Sequence, residues 1–261
     1  CPTAPLAVVT ALADKLDSLA GFHAAGERAT GSSDPLGLRR LALGVIRLVF
    51  ENELRLPLRD AFAEARAGYG DDADLAPAET VAEELVAFVM DRLKVHLRSE
   101  DVRGDLIAAV FAAGADDDLW RLRRKVAALQ GFLETADGAN LLAAYRRARN
   151  IVRIEAKKDG EALAGEVRGE LLEAPAEIAL HHELATVMPQ IRSALAEERF
   201  TDAMVGLASL RAPVDKFFEE VLVNVDEPAV RANRLRLLAR LSGLLDDVAV
   251  FDMIEEPRVA A

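Results

Sequence analysis

Residues 213–241 read PVDKFFEEVLVNVDEPAVRANRLRLLARL, and the spacing of apolar residues in the second half of this segment decides the fold class. At about 100° per residue, these apolar residues collect on one face of an α-helix. Arginines occupy other positions of the same helix. The segment therefore predicts a helix that buries one face and carries cations elsewhere. The predicted apolar face consists of Val230, Leu237, Leu238, Leu241, Leu244 and Leu245.

The arginines of this helix fall into two groups. Arg236 and Arg240 lie opposite the apolar face and are expected in solvent. Arg234 falls inside the face and Arg231 at its edge, so each must be paired or must extend its charged end to water. A structural ion pair is the expectation for Arg234. The carboxylates that offer such a pair are Asp215, Glu219 and Asp226.

Two adjacent aromatic residues, Phe217 and Phe218, precede this helix. Successive side chains on a helix diverge by about 100°, so the two rings cannot both face a core squarely. Packing in the core is the expectation for both. Stacking of one ring on an unpaired nucleobase is the alternative.

The composition extends the helical prediction to the whole chain. Hydrophobic residues make up 51% of the 261 residues, mostly Ala, Leu and Val, and aromatic residues only 5%. Such a composition favours packed helices over a β-sandwich, because Ala and Leu are strong helix formers. The expected fold class is all-α. The expected domains are residues 1–70, 71–138 and 139–261, with a turn-rich acidic connector at 68–80.

The net charge of −12 argues against a protein that coats nucleic acid non-specifically. Screening confines electrostatic effects to roughly 10 Å at 0.1 M salt, so a local basic face remains compatible with that charge. Cys1 is the single cysteine, which excludes a disulfide framework and predicts a reducing, cytoplasmic setting. No apolar run approaches the roughly 20 residues that span a bilayer. The chain starts without methionine, which we interpret as a cut from a longer protein.

Helical patterns follow one another along the chain. A proline-led helix is expected first, and a second helix is expected to be capped by Ser32 or Ser33 and to carry Asp34 in its first turn. Three aspartates at 116–118 suit the start of a later helix. Asp137-Gly138 is expected to break the chain. The predicted helices include 5–22, 34–54, 80–97, a short one ending at 114, and 140–156.

The predicted helix at 140–156 carries a second group of cations. Arg146, Arg149 and Arg153 lie on one side at positions i, i+3 and i+7, with Asn150 beside them. Lys157 and Lys158 extend this cluster. Such a stripe suits the phosphates of a nucleic-acid backbone, and an ordinary solvated face explains it as well. Both interpretations stay open.

The sequence contains few signs of catalysis. No phosphate-binding glycine loop or dinucleotide fingerprint is present. His181 and His182 are adjacent and diverge on a helix, and no third metal ligand is indicated. Taken residue by residue, the chain is typical of an all-α binding module.

Several stretches together resemble the C-terminal part of the β subunit of bacterial glycyl-tRNA synthetase. ALADKLDSLAGF and ATGSSDPLGLRRLALGVIRLVFEN are similar to the end of its HD-type domain, and FVMDRLKVHLRSEDVRGDLIAAVFA to the helical section that follows. DGANLLAAYRRARNIVRIEAKK and the opening segment resemble its anticodon-binding domain. The resemblance implies a multi-helix array with a C-terminal helical bundle of the arginyl-tRNA synthetase type.

The resemblance also implies a division of labour. The full enzyme joins glycine to tRNA with ATP, and its α subunit carries the adenylation site. This chain would therefore need no cofactor, since ATP and Mg are used by the α subunit. Its expected partners are tRNA-Gly, the α subunit and the rest of the β subunit, and neither a membrane nor DNA. The RNA-binding candidates carried over are Arg146, Arg149, Asn150, Arg153, Lys157, Arg231, Asn233 and Arg236.

Two other functions remain as alternatives. The first is a metal-dependent phosphohydrolase of the HD class, since Asp14 in LADKLD resembles the last aspartate of that site. The chain has no His-Asp doublet, which departs from the pattern of those enzymes. The second alternative is a helical scaffold that contacts only proteins.

Overall fold

A computed structural model of the chain describes residues 1–29, 34–70, 74–114, 116–159 and 165–255. Over these ranges the regular elements are helices, and the only β feature is an isolated antiparallel bridge between Pro57 and Asp118. The all-α prediction is confirmed. The chain divides into two compact units: the first contains 1–107 and 115–124, and the second contains 108–114 and 125–261.

Four helices build most of the first unit. Helix α1 packs against the other three, and α3 packs along α4. Leu19, Ile46, Phe62 and Leu85 are completely buried between them. The first turns of α1 differ, because Leu6 and Val9 remain 81% and 64% exposed. The four helices are α1 (Pro5–Ala24), α2 (Leu38–Glu51), α3 (Leu58–Ala67) and α4 (Ala78–Ser99).

The second helix begins later than the sequence predicted. Gly37 adopts φ +69°, a left-handed conformation that ends the preceding turn, and α2 starts at Leu38. Asp34 therefore lies before the helix, where its carboxylate accepts a hydrogen bond from the Arg39 amide at 3.2 Å. The predicted Ser32 or Ser33 cap lies outside the described residues.

Two further helices, α5 (Gly104–Ala112) and α6 (Leu119–Leu133), contribute residues to both units. The three aspartates precede α6 as predicted. The Asp118 carboxylate accepts a hydrogen bond from the Arg121 amide at 3.0 Å, which satisfies an unpaired N–H of the first turn. The Asp117 carboxylate accepts one from the Arg59 amide at 2.7 Å.

The predicted break at Asp137-Gly138 is wrong. Helix α7 (Ala136–Asp159) includes both residues in its first turn. The Thr135 hydroxyl accepts a hydrogen bond from the Gly138 amide at 3.1 Å and so caps the helix. A Cβ at Gly138 would lie 2.1 Å from the Phe132 carbonyl oxygen, so glycine is required here by close approach of the backbone.

The second unit packs α11 across α7, with α8, α9 and α10 around them. The apolar face predicted for the last helix is confirmed, because every member is buried. Among the described residues, none of the helices combines the length and apolar character that crossing a membrane requires. The remaining helices are α8 (Pro175–Ala196), α9 (Phe200–Ser209), α10 (Arg211–Glu220) and α11 (Pro228–Asp246).

The two units differ from the expected domains. The connector at 68–80 lies inside the first unit, because α3 and α4 on either side of it pack together. The limits of the units fall instead within α5 and α6. The predicted division at 70 and 138 stays a prediction.

Candidate nucleic-acid interface

Two members of the predicted arginine stripe on α7 hold the end of the described chain. Arg149 Nε donates to the Asp252 carboxylate at 3.1 Å, and Arg149 Nη1 lies 4.0 Å from Asp246. Arg146 donates to the Ile254 carbonyl oxygen. These contacts cross about one hundred residues of sequence, so periodicity alone could not reveal them. Arg146 and Arg149 therefore hold residues 252–254 against α7.

Tyr145 reinforces the same anchor. Its hydroxyl donates to the Asp246 carboxylate at 2.9 Å, and its ring lies 5.4 Å from the ring of Phe251. Burial of the phenol, with the neighbouring Asp246, raises the pKa of Tyr145 well above its usual value. The hydroxyl therefore remains a proton donor at any physiological pH.

The rest of the stripe is exposed. Arg153 Nη2 donates to the Asn150 side-chain oxygen at 2.9 Å, and both residues face solvent. Lys157 is exposed one turn further along. Neither Arg153 nor Lys157 has a carboxylate within ion-pair distance in the part of the chain that the structure describes. The Lys158 side chain lies outside the described residues.

Arg231 is matched by a carboxylate of the facing helix. Its guanidinium pairs with Glu155, which is only 4% exposed and also accepts a hydrogen bond from Asn224 Nδ2 at 3.4 Å. Between residues 140 and 158, Glu155 is the only acidic residue of α7. Because this carboxylate is buried and paired, the exposed charge along that stretch is positive.

Asn233 is removed from the candidate interface. It is completely buried, its side-chain oxygen accepts from the Arg168 amide at 2.8 Å, and its Nδ2 donates to the Arg168 carbonyl at 2.9 Å. Both ends of the amide are therefore used to hold the segment before α8. The RNA contact expected for Asn233 does not fit this geometry.

Arg234 forms the buried ion pair that its position demanded, with different partners. Its guanidinium pairs with Glu177 of α8, which is completely buried, and with Glu173 at 3.4 Å. Arg234 Nη1 also donates to the Leu222 carbonyl at 2.9 Å. The expected partners, Asp215, Glu219 and Asp226, were chosen for nearness in sequence, and the ion pair they were expected to form is made elsewhere.

Arg236 and Arg240 line a cleft rather than an open face. The cleft measures about 580 Å³ and lies between the segment 165–167, α8 and α11. His181 of α8 also lines it. Arg240 Nε donates to the Met188 thioether sulfur at 3.1 Å. The prediction that these arginines point outward therefore holds only in part, since both are half-buried.

The phenylalanine pair separates into a core residue and a surface residue. Phe217 is completely buried, as expected, and meets Phe218 edge to face with ring centroids 5.5 Å apart. Phe218 is half-exposed, with the Arg147 guanidinium 4.3 Å above its ring. Arg147 and Phe218 also line a cleft of about 450 Å³ with Asn140.

Sequence reasoning missed the contact of Arg147 with Phe218 and the place of Arg240 and His181 in one cleft. Arg147 lies on a different side of α7 from Arg146 and was left out of the stripe for that reason. In the sequence, only the position of Phe218 directly after Phe217 indicated that one of the two rings lies at the surface. His181 was considered for metal binding alone.

Metal-ligand geometry is absent from the described ranges, where no group of three His, Cys, Asp or Glu side chains is placed to hold an ion. Asp14 lies on the exposed side of α1, 3.8 Å from the Lys15 amine. Among the described residues, Asp14 belongs to no group of three such side chains.

Comparison with known proteins gives two family matches along the chain. Residues 1–112 match the family described as glycyl-tRNA synthetase beta subunit. Residues 141–249 match the family described as DALR anticodon binding domain. The second match begins within α7 and ends just after α11, so it contains the whole candidate interface on α7.

Individual relatives agree with these matches. The glycine--tRNA ligase beta subunit of Rhodospirillum centenum is 50% identical over 255 residues, which cover 97% of this chain and 35% of the relative. The corresponding subunits of Phenylobacterium zucineum and Ruegeria sp. are 48% and 45% identical over 254 residues. The chain therefore spans about a third of the length of the curated relatives it matches.

The resemblance noted in the sequence is thus confirmed over nearly the whole chain, in both units and in the expected order. Helical structure, the DALR match and the relatives agree on the same assignment. The chain belongs to the glycyl-tRNA synthetase β-subunit family and corresponds to about a third of such a subunit.

Proposed function

We propose that the second unit binds the anticodon arm of tRNA-Gly as part of a glycine–tRNA ligase. The observation that carries this proposal is the match of residues 141–249 to an anticodon-binding family, combined with the exposed cations of α7 inside that match.

The geometry of α7 supports contact with phosphates. Arg153 and Lys157 lie four residues apart, which is a rise of about 6 Å along one side of the helix. Asn150 adds a neutral hydrogen-bonding group at 2.9 Å from Arg153. Phosphate contacts of this kind position an RNA without reading its sequence. The α7 face therefore supplies grip on the anticodon stem rather than specificity.

The Arg147–Phe218 surface supports contact with an unpaired base. The Arg147 guanidinium carbon lies 4.3 Å from the centroid of the Phe218 ring, and both guanidinium groups and aromatic rings are groups on which unpaired bases stack. Bases of an anticodon loop are unpaired and available for such stacking. Asn140 in the same cleft offers both a donor and an acceptor for a base edge.

The remaining functions follow from the same proposal. The α subunit glycylates the bound tRNA using ATP and Mg, and this chain contributes no cofactor site or catalytic group. Residues 139–261 serve as the anticodon-binding domain, 71–138 as a helical linker, and 1–70 as part of an HD-like domain. The partners are tRNA-Gly, the α subunit and the remainder of the β subunit, in the cytoplasm.

The test is binding of this chain to tRNA-Gly and to a non-cognate tRNA, titrated over salt. The double variant Arg153→Gln/Lys157→Gln should weaken binding to both tRNAs alike. It should also reduce the slope of log K against log salt by about 2, because each lost phosphate contact removes about one unit. Arg146 and Arg149 are left intact, since their loss would also remove the contacts with Ile254 and Asp252.

The matched control is Arg192→Gln/Arg199→Gln, which removes two exposed cations elsewhere in the same unit. An equal effect from both pairs would assign RNA binding to overall charge and not to α7. If the unaltered chain binds neither tRNA above background, the proposed function is wrong for this part of the subunit.

A further inference from the structure

The cleft beside α11 contains cations that the α7 interface does not use. Arg236 and Arg240 lie one turn apart on the same side of α11 and both line the cleft. A Cβ on Gly165 would lie 3.4 Å from Arg236 Nε, so this guanidinium packs directly against the backbone at Gly165. The cleft volume of about 580 Å³ falls within the range of about 300–1,000 Å³ that is usual for small-molecule sites.

Arg240 stands apart from the other arginines of its helix. Arg231 and Arg234 are matched by Glu155 and Glu177, both buried. For Arg240, the structure places no carboxylate within ion-pair distance among the described residues, and Nε is bonded to a thioether sulfur, a weak acceptor. A half-buried guanidinium held this way retains donors of strength suited to an anion.

His181 supplies the third group of the cleft. Its Nδ1 is buried and has no hydrogen-bond partner in the described part of the chain. Burial, followed by the charges of Arg240 and His182, lowers the pKa of His181, so the imidazole is neutral at pH 7. A buried polar atom without a partner is costly, and an oxygen-rich ligand would remove that cost.

Among the described residues that line the cleft, Glu166 is the acidic one, and it is exposed at the rim. The other ionisable groups of this described lining are the guanidinium groups of Arg236 and Arg240 and the imidazole of His181. Paired guanidinium groups recognise phosphate oxygens through parallel N–H···O bonds, and phosphate suits them better than a lone carboxylate because it offers more oxygens.

We infer that His181, Arg236 and Arg240 form a binding site for a phosphate group. The inference that this group is a phosphodiester of bound RNA rests on the proposed function. A free phosphate has the same chemistry, so the two sources must be separated by experiment.

The first arm uses inorganic phosphate and follows the imidazole ring signals of the chain by NMR. The His181 signal should shift saturably with phosphate and should respond little to the same ionic strength of chloride. The shift should be lost in Arg236→Gln/Arg240→Gln and retained in Arg192→Gln/Arg199→Gln. An equal response to phosphate and chloride, or an equal response in both variants, overturns the site.

The second arm uses tRNA-Gly over a salt titration. If RNA supplies the phosphate, Arg236→Gln/Arg240→Gln should reduce the slope of log K against log salt by about 1 to 2, while the control pair changes it less. Arg240→Lys keeps the charge but loses the planar fork, so it should preserve the slope and weaken the phosphate response. A slope that matches the control pair overturns the RNA source.

The two arms keep this inference separate from the proposed function. A saturable His181 response in a chain that binds no tRNA would support the site with free phosphate as its ligand and reject the proposed function. Loss of tRNA binding in the α7 variant, together with cleft variants that behave like the control in both arms, would reject the cleft and keep the proposed function.

Discussion

Glu177 of α8 connects its own helix to the segment before it and to α11. Its carboxylate accepts hydrogen bonds from the Glu173 and Ala174 amides at 2.8 and 3.3 Å, and it pairs with Arg234. It is completely buried, and Arg234 is only 6% exposed. A carboxylate buried to this degree is tolerated because both of its oxygens accept hydrogen bonds.

We predict that Arg234→Met destabilises the second unit by about 3–5 kcal/mol, because Glu177 would remain buried without its cation. Adding Glu177→Gln should recover part of this loss, since the neutral amide oxygen still accepts from the α8 cap. The measurement is urea unfolding of both variants. Losses that simply add in the double variant would contradict a direct pair between the two residues.

A second prediction concerns His23 in the first unit. The side chain is 2% exposed, its ring lies 5.7 Å from that of Phe88, and its carbonyl accepts from Arg28 at 2.7 Å. Burial, and then the charge of Arg28, lowers the pKa of His23 from 6.5 to about 4. The imidazole is therefore neutral in the folded chain over the whole physiological range.

The pKa of His23 is 6.5 in the unfolded chain and about 4 in the folded chain. At pH values between these two, the unfolded chain binds more protons at His23 than the folded chain does. The stability contribution is complete above pH 6.5 and is lost as the pH falls towards 4. The loss should reach about 2 kcal/mol at pH 5. Urea midpoints at pH 7.5 and pH 5 should therefore differ less in His23→Gln than in the unaltered chain. An identical pH dependence in both would show that His23 titrates normally.

At the scale of elements, the junction of α6 and α7 is constrained by a helix cap and by a close backbone approach. Thr135 caps α7, and Gly138 allows its first turn to approach the end of α6. Gly131 lies within α6 with open space around it. The two glycines therefore form a matched pair for the same substitution.

We predict that Gly131→Ala stabilises the chain by about 0.5–1 kcal/mol, because alanine loses less backbone entropy in a helix. Gly138→Ala should destabilise it, because the added Cβ would meet the Phe132 carbonyl oxygen at 2.1 Å. Thermal unfolding midpoints of the two variants give the comparison. Opposite shifts are expected, and two stabilising shifts would mean that the junction has room to relax.

The same junction shows where sequence reasoning succeeds and where it stops. The period of apolar residues located the helices and the buried face of α11, because burial follows that period directly. Asp137-Gly138 was predicted to break the chain because Asp-Gly is a common turn signal. The Phe132 carbonyl, whose close approach requires glycine at 138, is visible only in three dimensions. The contacts of Arg146 and Arg149 with Ile254 and Asp252 could not be predicted for the same reason, since these partners are remote in sequence. Their predicted contact with RNA stays a prediction.

At the scale of the whole molecule, charge sets a further expectation for RNA binding. The net charge of −12 repels a polyanion, while the α7 face attracts it locally. The Debye length is about 8 Å at 0.15 M salt and about 30 Å at 0.01 M. Near physiological salt, bound RNA interacts electrostatically with the α7 face alone. At very low salt, it interacts with the charges of the whole chain.

We therefore predict that the plot of log K against log salt for tRNA is linear above about 0.1 M and flattens near 0.01 M. Equilibrium binding measured across this range gives the curve. Neutralising acidic residues far from α7 should restore linearity at low salt. A straight line down to 0.01 M would mean that distant charges do not reach the bound RNA.

The contacts of Arg146 and Arg149 with Ile254 and Asp252 have a practical consequence. The anticodon-binding match ends at residue 249, before Asp252 and Ile254. A protein shortened to that limit would keep every matched residue yet release two guanidinium groups beside Arg153. Its affinity for RNA would rise and its selectivity would fall. Affinities measured on such a minimal domain would overstate what the intact chain achieves.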